Sequence, residues 1–192
     1  MKFWIAITVI IGGFLAFLVF SKRPNTTIAN QSQPPGNFAS LVGKPAPNFR
    51  LQSLGGQTFN LSSLRGKKVV LFFNEGIMCY PACWNQMAAL GSDNRLNNSQ
   101  VVSASIIVDN KDEWGSALQR MPELGKSTIL LDTDTAVSRQ YGVLSLSSSM
   151  HPGMKPGHTY VVIDQNGIVR YTKDDPQMGV RNNLLESEVT KL

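Results

Sequence analysis

Cys79 and Cys83 are the only cysteines in the chain, and they stand four apart in Met78-Cys79-Tyr80-Pro81-Ala82-Cys83-Trp84. Two sulfurs so placed can close reversibly into a disulfide, attack as thiolates, or hold a soft metal. A purely structural bridge more often closes a long loop, where the constraint on the unfolded chain is larger, so this spacing favours chemistry over scaffolding. Tyr80 precedes a proline and is pushed out of the helical region, while Pro81 suits a first helical position. Cys83 then falls in a first helical turn with Cys79 just ahead of it. The unpaired N–H groups and positive dipole end there stabilise a thiolate. A helix start also keeps the two Cα atoms within the roughly 7 Å that a disulfide requires.

Positioning this pair takes a strand before it and a helix after it. Residues 68–73 (KVVLFF) are a nearly continuous apolar run, as in a strand covered on both faces. In the following segment, 81–90, Cys83, Met87 and Leu90 share one stripe with Trp84 and Ala88 beside it, so the helix packs on a sheet with its N-terminus at the surface. Tyr80 and Trp84 are expected at a substrate rim, and Trp114 in packing or at that rim. Further strands are expected at 101–108 and 160–163, and helices at 112–121 and 134–141, the latter capped by Asp134 and stopped by Gly142. Gly167 marks a hairpin turn joining 160–163 to 168–171. Strands alternating with helices and ending in a hairpin predict α/β layers: a mixed central β-sheet flanked by helices.

Length and composition limit the rest. With 192 residues, 42% of them hydrophobic, one core is expected and two are not. The net charge of +5 is spread along the chain, with no basic run interleaved with aromatics, so no nucleic-acid partner is expected. Residues 3–20 carry no charge and lie between Lys2 and Lys22-Arg23, a length that just spans a hydrocarbon core. No small-residue cleavage site follows. A single-pass transmembrane anchor is therefore expected at 1–23, then a polar flexible tether at 24–40 and one domain at 41–192. Charge is balanced across the apolar stretch and does not fix orientation; the domain is expected on the extracytoplasmic side.

Three blocks, in order, resemble the redoxin branch of the thioredoxin superfamily, which includes the alkyl hydroperoxide reductase/thiol-specific antioxidant (peroxiredoxin) proteins. They are Val42-Gly43-Lys44-Pro45-Ala46-Pro47-Asn48-Phe49-Arg50-Leu51, then residues 60–73, then Gly157-His158-Thr159-Tyr160-Val161-Val162-Ile163-Asp164-Gln165-Asn166-Gly167. The resemblance covers about residues 41–172. It implies a thioredoxin-like fold and a thiol-dependent oxidoreductase acting through Cys79 and Cys83, with no cofactor. A protein dithiol or a peroxide would be the substrate, and an unidentified thiol would supply electrons. It also implies a loop facing the cysteines, made of Pro156, His158 and Thr159, with Pro156 (or its competitor Pro152) in the cis form. The chain departs from peroxiredoxins in having Tyr80, not Thr or Ser, three residues before Cys83, and His158 where an Arg is common before Thr159. It departs from thioredoxin-like reductases in having three residues between its cysteines.

That spacing resembles Sco-type copper chaperones, which use Cys-x3-Cys with a distant His. The alternative this implies is a copper site of Cys79, Cys83 and His158, with Met150-His151-Pro152-Gly153-Met154 nearby in sequence. Thiolate, thioether and imidazole ligands suit copper.

Overall fold

A computed structural model describes residues 37–192. The expected anchor and the tether up to residue 36 lie outside the described residues. The tether's last four residues belong instead to the fold. Asn37 caps a 3-10 turn over Phe38–Leu41, and Phe38 and Leu41 are buried in the core. Apolar side chains at positions 38 and 41 outweigh the polar composition of the stretch before them.

Seven strands form one sheet: β1 (Arg50–Ser53), β2 (Thr58–Asn60), β3 (Lys68–Phe73), β4 (Val101–Ile107), β5 (Ile129–Leu131), β6 (Thr159–Ile163) and β7 (Val169–Asp174), in the order β2-β1-β5-β4-β3-β6-β7. The three central strands β3, β4 and β5 run parallel, and β1, β2, β6 and β7 pair antiparallel around them. The α-helices are α1 (Ala82–Ser92), α2 (Trp114–Arg120), α3 (Ala136–Gln140) and α4 (Asn182–Thr190). The fold is thus the expected mixed sheet with flanking helices.

Strand alternation divides the core into two halves. From β3, Val70 and Phe72 enter one half with α1, α2, α4 and Tyr160, while Val69, Leu71 and Phe73 enter the other with Phe38, Val137 and Tyr141. All of β3 after Lys68 is buried, as the unbroken apolar run requires. Gly142 stops α3 at φ 69° and Gly167 turns the final hairpin at φ 71°, both in the left-handed region that favours glycine. Asp134 accepts from the Ala136 N–H, as a cap would, although the helix starts later than expected. The expected helix at 112–121 begins as a 3-10 turn over Lys111–Glu113 and becomes α-helical only from Trp114.

Candidate functional site

The site is built where β3 ends. Asn74 and Glu75 are buried polar residues directly after the strand, followed by a 3-10 turn over Gly76–Met78, then Cys79, and α1 from Ala82. Asn74 Oδ1 accepts from the Gly76 N–H at 2.9 Å. Gly76 has φ 65°, and a Cβ there would collide with the Asp109 carboxylate, so no larger residue fits without rearrangement. Asp109, just past β4, accepts from the Ile77 N–H at 2.7 Å and pairs with Lys155 Nζ at 2.5 Å. Glu75 accepts from the Met150 and His151 backbone N–H groups at 2.5 and 3.1 Å and contacts His151 Nδ1 at 3.1 Å. Two buried carboxylates therefore tie the turn before the cysteines to the loop before β6.

Cys79 and Cys83 are joined in a disulfide with Cα atoms 5.3 Å apart. The Cys83 N–H donates to the Cys79 carbonyl at 2.9 Å, so the pair is held in one helical turn. Both residues are almost wholly buried, Cys79 at 2% exposure and Cys83 at 0%. The sequence places the start of this helix, with Cys79 just ahead of it, at the surface. The difference arises because α1 packs its first turn inward, while Met78, Tyr80 and Pro81 beside the cysteines are exposed.

His158 reaches this pair because β6 pairs with β3 in the register Phe73↔Thr159, which sets the residue before Thr159 beside the end of β3. Its Nδ1 lies 3.6 Å from Cys83 Sγ and its Nε2 2.7 Å from the Tyr160 hydroxyl. The ring packs edge-on against Phe72, with centroids 4.6 Å apart. Burial pulls its pKa down to about 4, with Arg181 in the same direction, against Asp175 and a hydrogen bond to the Gly179 backbone. At neutral pH it is an uncharged imidazole.

Other expected site residues fall elsewhere. Thr159 is buried but alternates with Tyr160 along β6, so its side chain is directed to the opposite half of the core from the sulfurs. Trp84 belongs to the core rather than the rim: it is 4% exposed, donates to the Gly76 carbonyl at 3.2 Å and packs near Trp114. Tyr80, beside Cys79, is half exposed, with Arg120 4.1 Å above its ring. Pro156 is buried and trans, and the exposed Pro152 is trans as well; the cis peptide among the described residues is Tyr80–Pro81. The loop before β6 approaches its neighbours at Gly157 instead, where a Cβ would strike the backbone of Ser148 and Ser149. Glu75, Asp109, Gln86 and Tyr160 were missed. An Asn-Glu-Gly run directly after an apolar strand was the available signal for Glu75.

The alternative copper set is also brought together, with one ligand atom each of Cys79, Cys83 and His158 within 4.8 Å of one another. Here the two sulfurs are bonded to each other.

A pH dependence follows from His158. Its folded pKa of about 4 lies below the ordinary 6.5, so the unfolded chain binds more protons between those values. The stability it contributes is complete above pH 6.5 and is lost as the pH falls towards 4, roughly 3 kcal/mol in all. Urea unfolding of the native chain and His158→Gln at pH 7.5 and 4.5 should show the native chain losing more stability than the variant. Equal losses would contradict a buried neutral imidazole.

The chain is 30% identical over 134 residues to the chloroplastic peroxiredoxin Q of Triticum aestivum, covering 67% of this chain and 57% of that protein. It is 28% identical over 142 residues to peroxiredoxin Bcp of Escherichia coli (strain K12), covering 70% of this chain and 85% of that one. The chain thus spans little more than half of the wheat protein. Among solved structures it resembles a reduced 2-Cys peroxiredoxin from Plasmodium vivax, with a TM-score of 0.65 and 23% identity over 78% of this chain and 80% of that one, a likeness of fold. These relatives lend no support to the copper alternative. The Redoxin family model matches residues 41–185, around the strand, turn and helix that carry the cysteines, and the chain belongs to that family.

Proposed function

We propose that this protein is a membrane-anchored thiol-dependent oxidoreductase whose working group is the Cys79–Cys83 pair. The observation that carries the reading is the disulfide itself, closed across one helical turn at the carboxyl end of a central parallel strand. Loops at such strand ends are where α/β sheets hold their sites.

With a disulfide substrate, the Cys79 thiolate attacks one sulfur and expels the other as a thiolate. Cys83 then attacks Cys79, releases the second substrate thiol and closes the bridge. With a peroxide, Cys83 takes one oxygen to become a sulfenic acid, releasing an alcohol or water. Cys79 then displaces a water from it to form the same bridge. A dithiol reductant reopens the bridge in both cases, and no cofactor is needed. The relatives named peroxiredoxins support the peroxide branch, while Tyr80 in place of a hydroxyl donor three residues before Cys83 supports the disulfide branch. Turnover of the full chain with an organic hydroperoxide and with a small disulfide, each coupled to a dithiol, tests the reading. Turnover of at least one is expected, and turnover of neither contradicts it.

The anchor rests on the uncharged stretch at residues 3–20. Alkaline carbonate extraction should leave the full chain in the membrane pellet. Its release into the supernatant would overturn the anchor.

A further inference from the structure

The hydrogen bonds behind His158 decide which of its ring nitrogens carries the proton. The Arg181 backbone N–H donates to Gln86 Oε1 at 2.6 Å, and a backbone N–H can only donate, so the Gln86 atom facing it is the oxygen. From the other side, Gln86 Nε2 donates to Asn182 Oδ1 at 2.9 Å, and Asn182 Nδ2 is itself fixed as a donor by the Ala89 carbonyl at 3.0 Å. The Tyr160 hydroxyl lies 2.8 Å from Gln86 Oε1 and 3.4 Å from the Gly179 carbonyl, both acceptors only. Its single proton must go to that side. Towards His158 the hydroxyl can therefore only accept, which places the imidazole proton on Nε2. Nδ1 is left with a bare lone pair, 3.6 Å from Cys83 Sγ and sealed from water.

We infer that His158 is a catalytic base for Cys83, and that Tyr160 and Gln86 are positioning residues that hold it in the tautomer with Nδ1 free to take the thiol proton. The inference rests on the dithiol reading above and says how its buried step is made possible. Cys83 is fully buried in the bridged form, and a buried thiol resists ionisation in apolar surroundings. As the Cys83 sulfur attacks the mixed disulfide on Cys79, its S–H bond breaks and the proton passes to Nδ1. The Cys79–Cys83 bond forms, the bond from Cys79 to the substrate sulfur breaks, and the substrate leaves as a thiolate. Cys83 is oxidised, the substrate sulfur is reduced, and the imidazolium returns its proton to the departing thiolate or to water. Reopening the bridge runs the same transfers backwards. The uncharged resting imidazole agrees with this role, and the ionic groups acting on it are Asp175 and Arg181, which are paired with each other at 2.7 Å.

The test follows one closure event in the full chain. Reduced protein is mixed with bis(2-hydroxyethyl) disulfide, quenched in acid and alkylated at intervals, so that mixed disulfide and bridge are counted separately by mass. In His158→Gln the mixed disulfide should accumulate and close about 100-fold more slowly at pH 7, within the range that general base catalysis contributes. In Tyr160→Phe, which keeps the ring but removes the acceptor for Nε2–H, closure should slow about tenfold and its pH profile should shift. Closure at the native rate and with the native pH profile in both variants would overturn the inference. Nitrogen-15 spectra keep it testable should either variant fold poorly. The chain has two histidines, so His151→Ala assigns the signals, and the native reduced protein should show His158 protonated on Nε2. A proton on Nδ1 would overturn the assignment. Absence of any mixed disulfide or bridge in the native chain would instead remove the dithiol reading beneath it.

Discussion

Cys83→Ser is expected to cut turnover by about 10⁴-fold or more, the scale on which enzymes lose activity when a bond-forming side chain is removed. With only two cysteines in the chain, no third sulfur can close a bridge in its place. The two single variants should fail differently. With a disulfide substrate, Cys83→Ser keeps the attacking Cys79 and loses the sulfur that resolves it, so the substrate remains trapped as a mixed disulfide. Cys79→Ser keeps a sulfur behind α1's first turn and should trap little. The peroxide branch reverses the pattern, because Cys83 would then carry the sulfenic acid and Cys79 would be the residue that resolves it. Mass spectrometry of each variant after one equivalent of substrate reads this directly. Turnover within tenfold of native in Cys83→Ser would contradict the role of the pair.

Asp109→Ala should destabilise the fold by about 3–5 kcal/mol, the range for breaking a buried charge pair from one side. The carboxylate is 1% exposed and bonds both Lys155 Nζ and the Ile77 N–H. Removing it strands an ammonium group that is 21% exposed and a backbone donor in the turn before Cys79. It also opens space beside Gly76, whose backbone is fitted to that carboxylate. Lys155→Met leaves the more buried partner, a carboxylate with only the Ile77 N–H, without its cation and should cost at least as much. Urea midpoints for the two variants check the order. A loss below about 1 kcal/mol for Asp109→Ala would show that the turn is held by something else.

The disulfide-bonded pair was legible because spacing, a proline and an apolar strand in front of it all act locally. So were β3, β4 and β6, long runs buried on both faces, and the hairpin at Gly167, where a left-handed turn needs a small residue. Strands β1, β2 and β5 were not, because three or four residues are too few for alternation to stand out, and their pairing is set by distant neighbours. Helix α4 was missed for a related reason: of its nine residues only Leu185 and Val189 are buried, too sparse a stripe to read. Within the site, His158 could be suspected from its place beside the late strand. Its link through Tyr160 to Gln86 could not, since these residues come from β6 and α1 and meet only through the β3–β6 register. Thr159 and Trp84 were misplaced because nearness in sequence to a functional residue does not say which face a side chain takes.

The central claim is that Cys79 and Cys83 form one reversible two-electron couple. The most direct test equilibrates the full chain in a graded series of reduced and oxidised dithiothreitol buffers, with acid quenching, alkylation and mass analysis of each sample. The account predicts two populations, both thiols alkylated or neither, exchanging in a single transition that runs identically from the reduced and the oxidised side. Thiols that remain free at the most oxidising poise, or a bridge that never opens at the most reducing one, would contradict it.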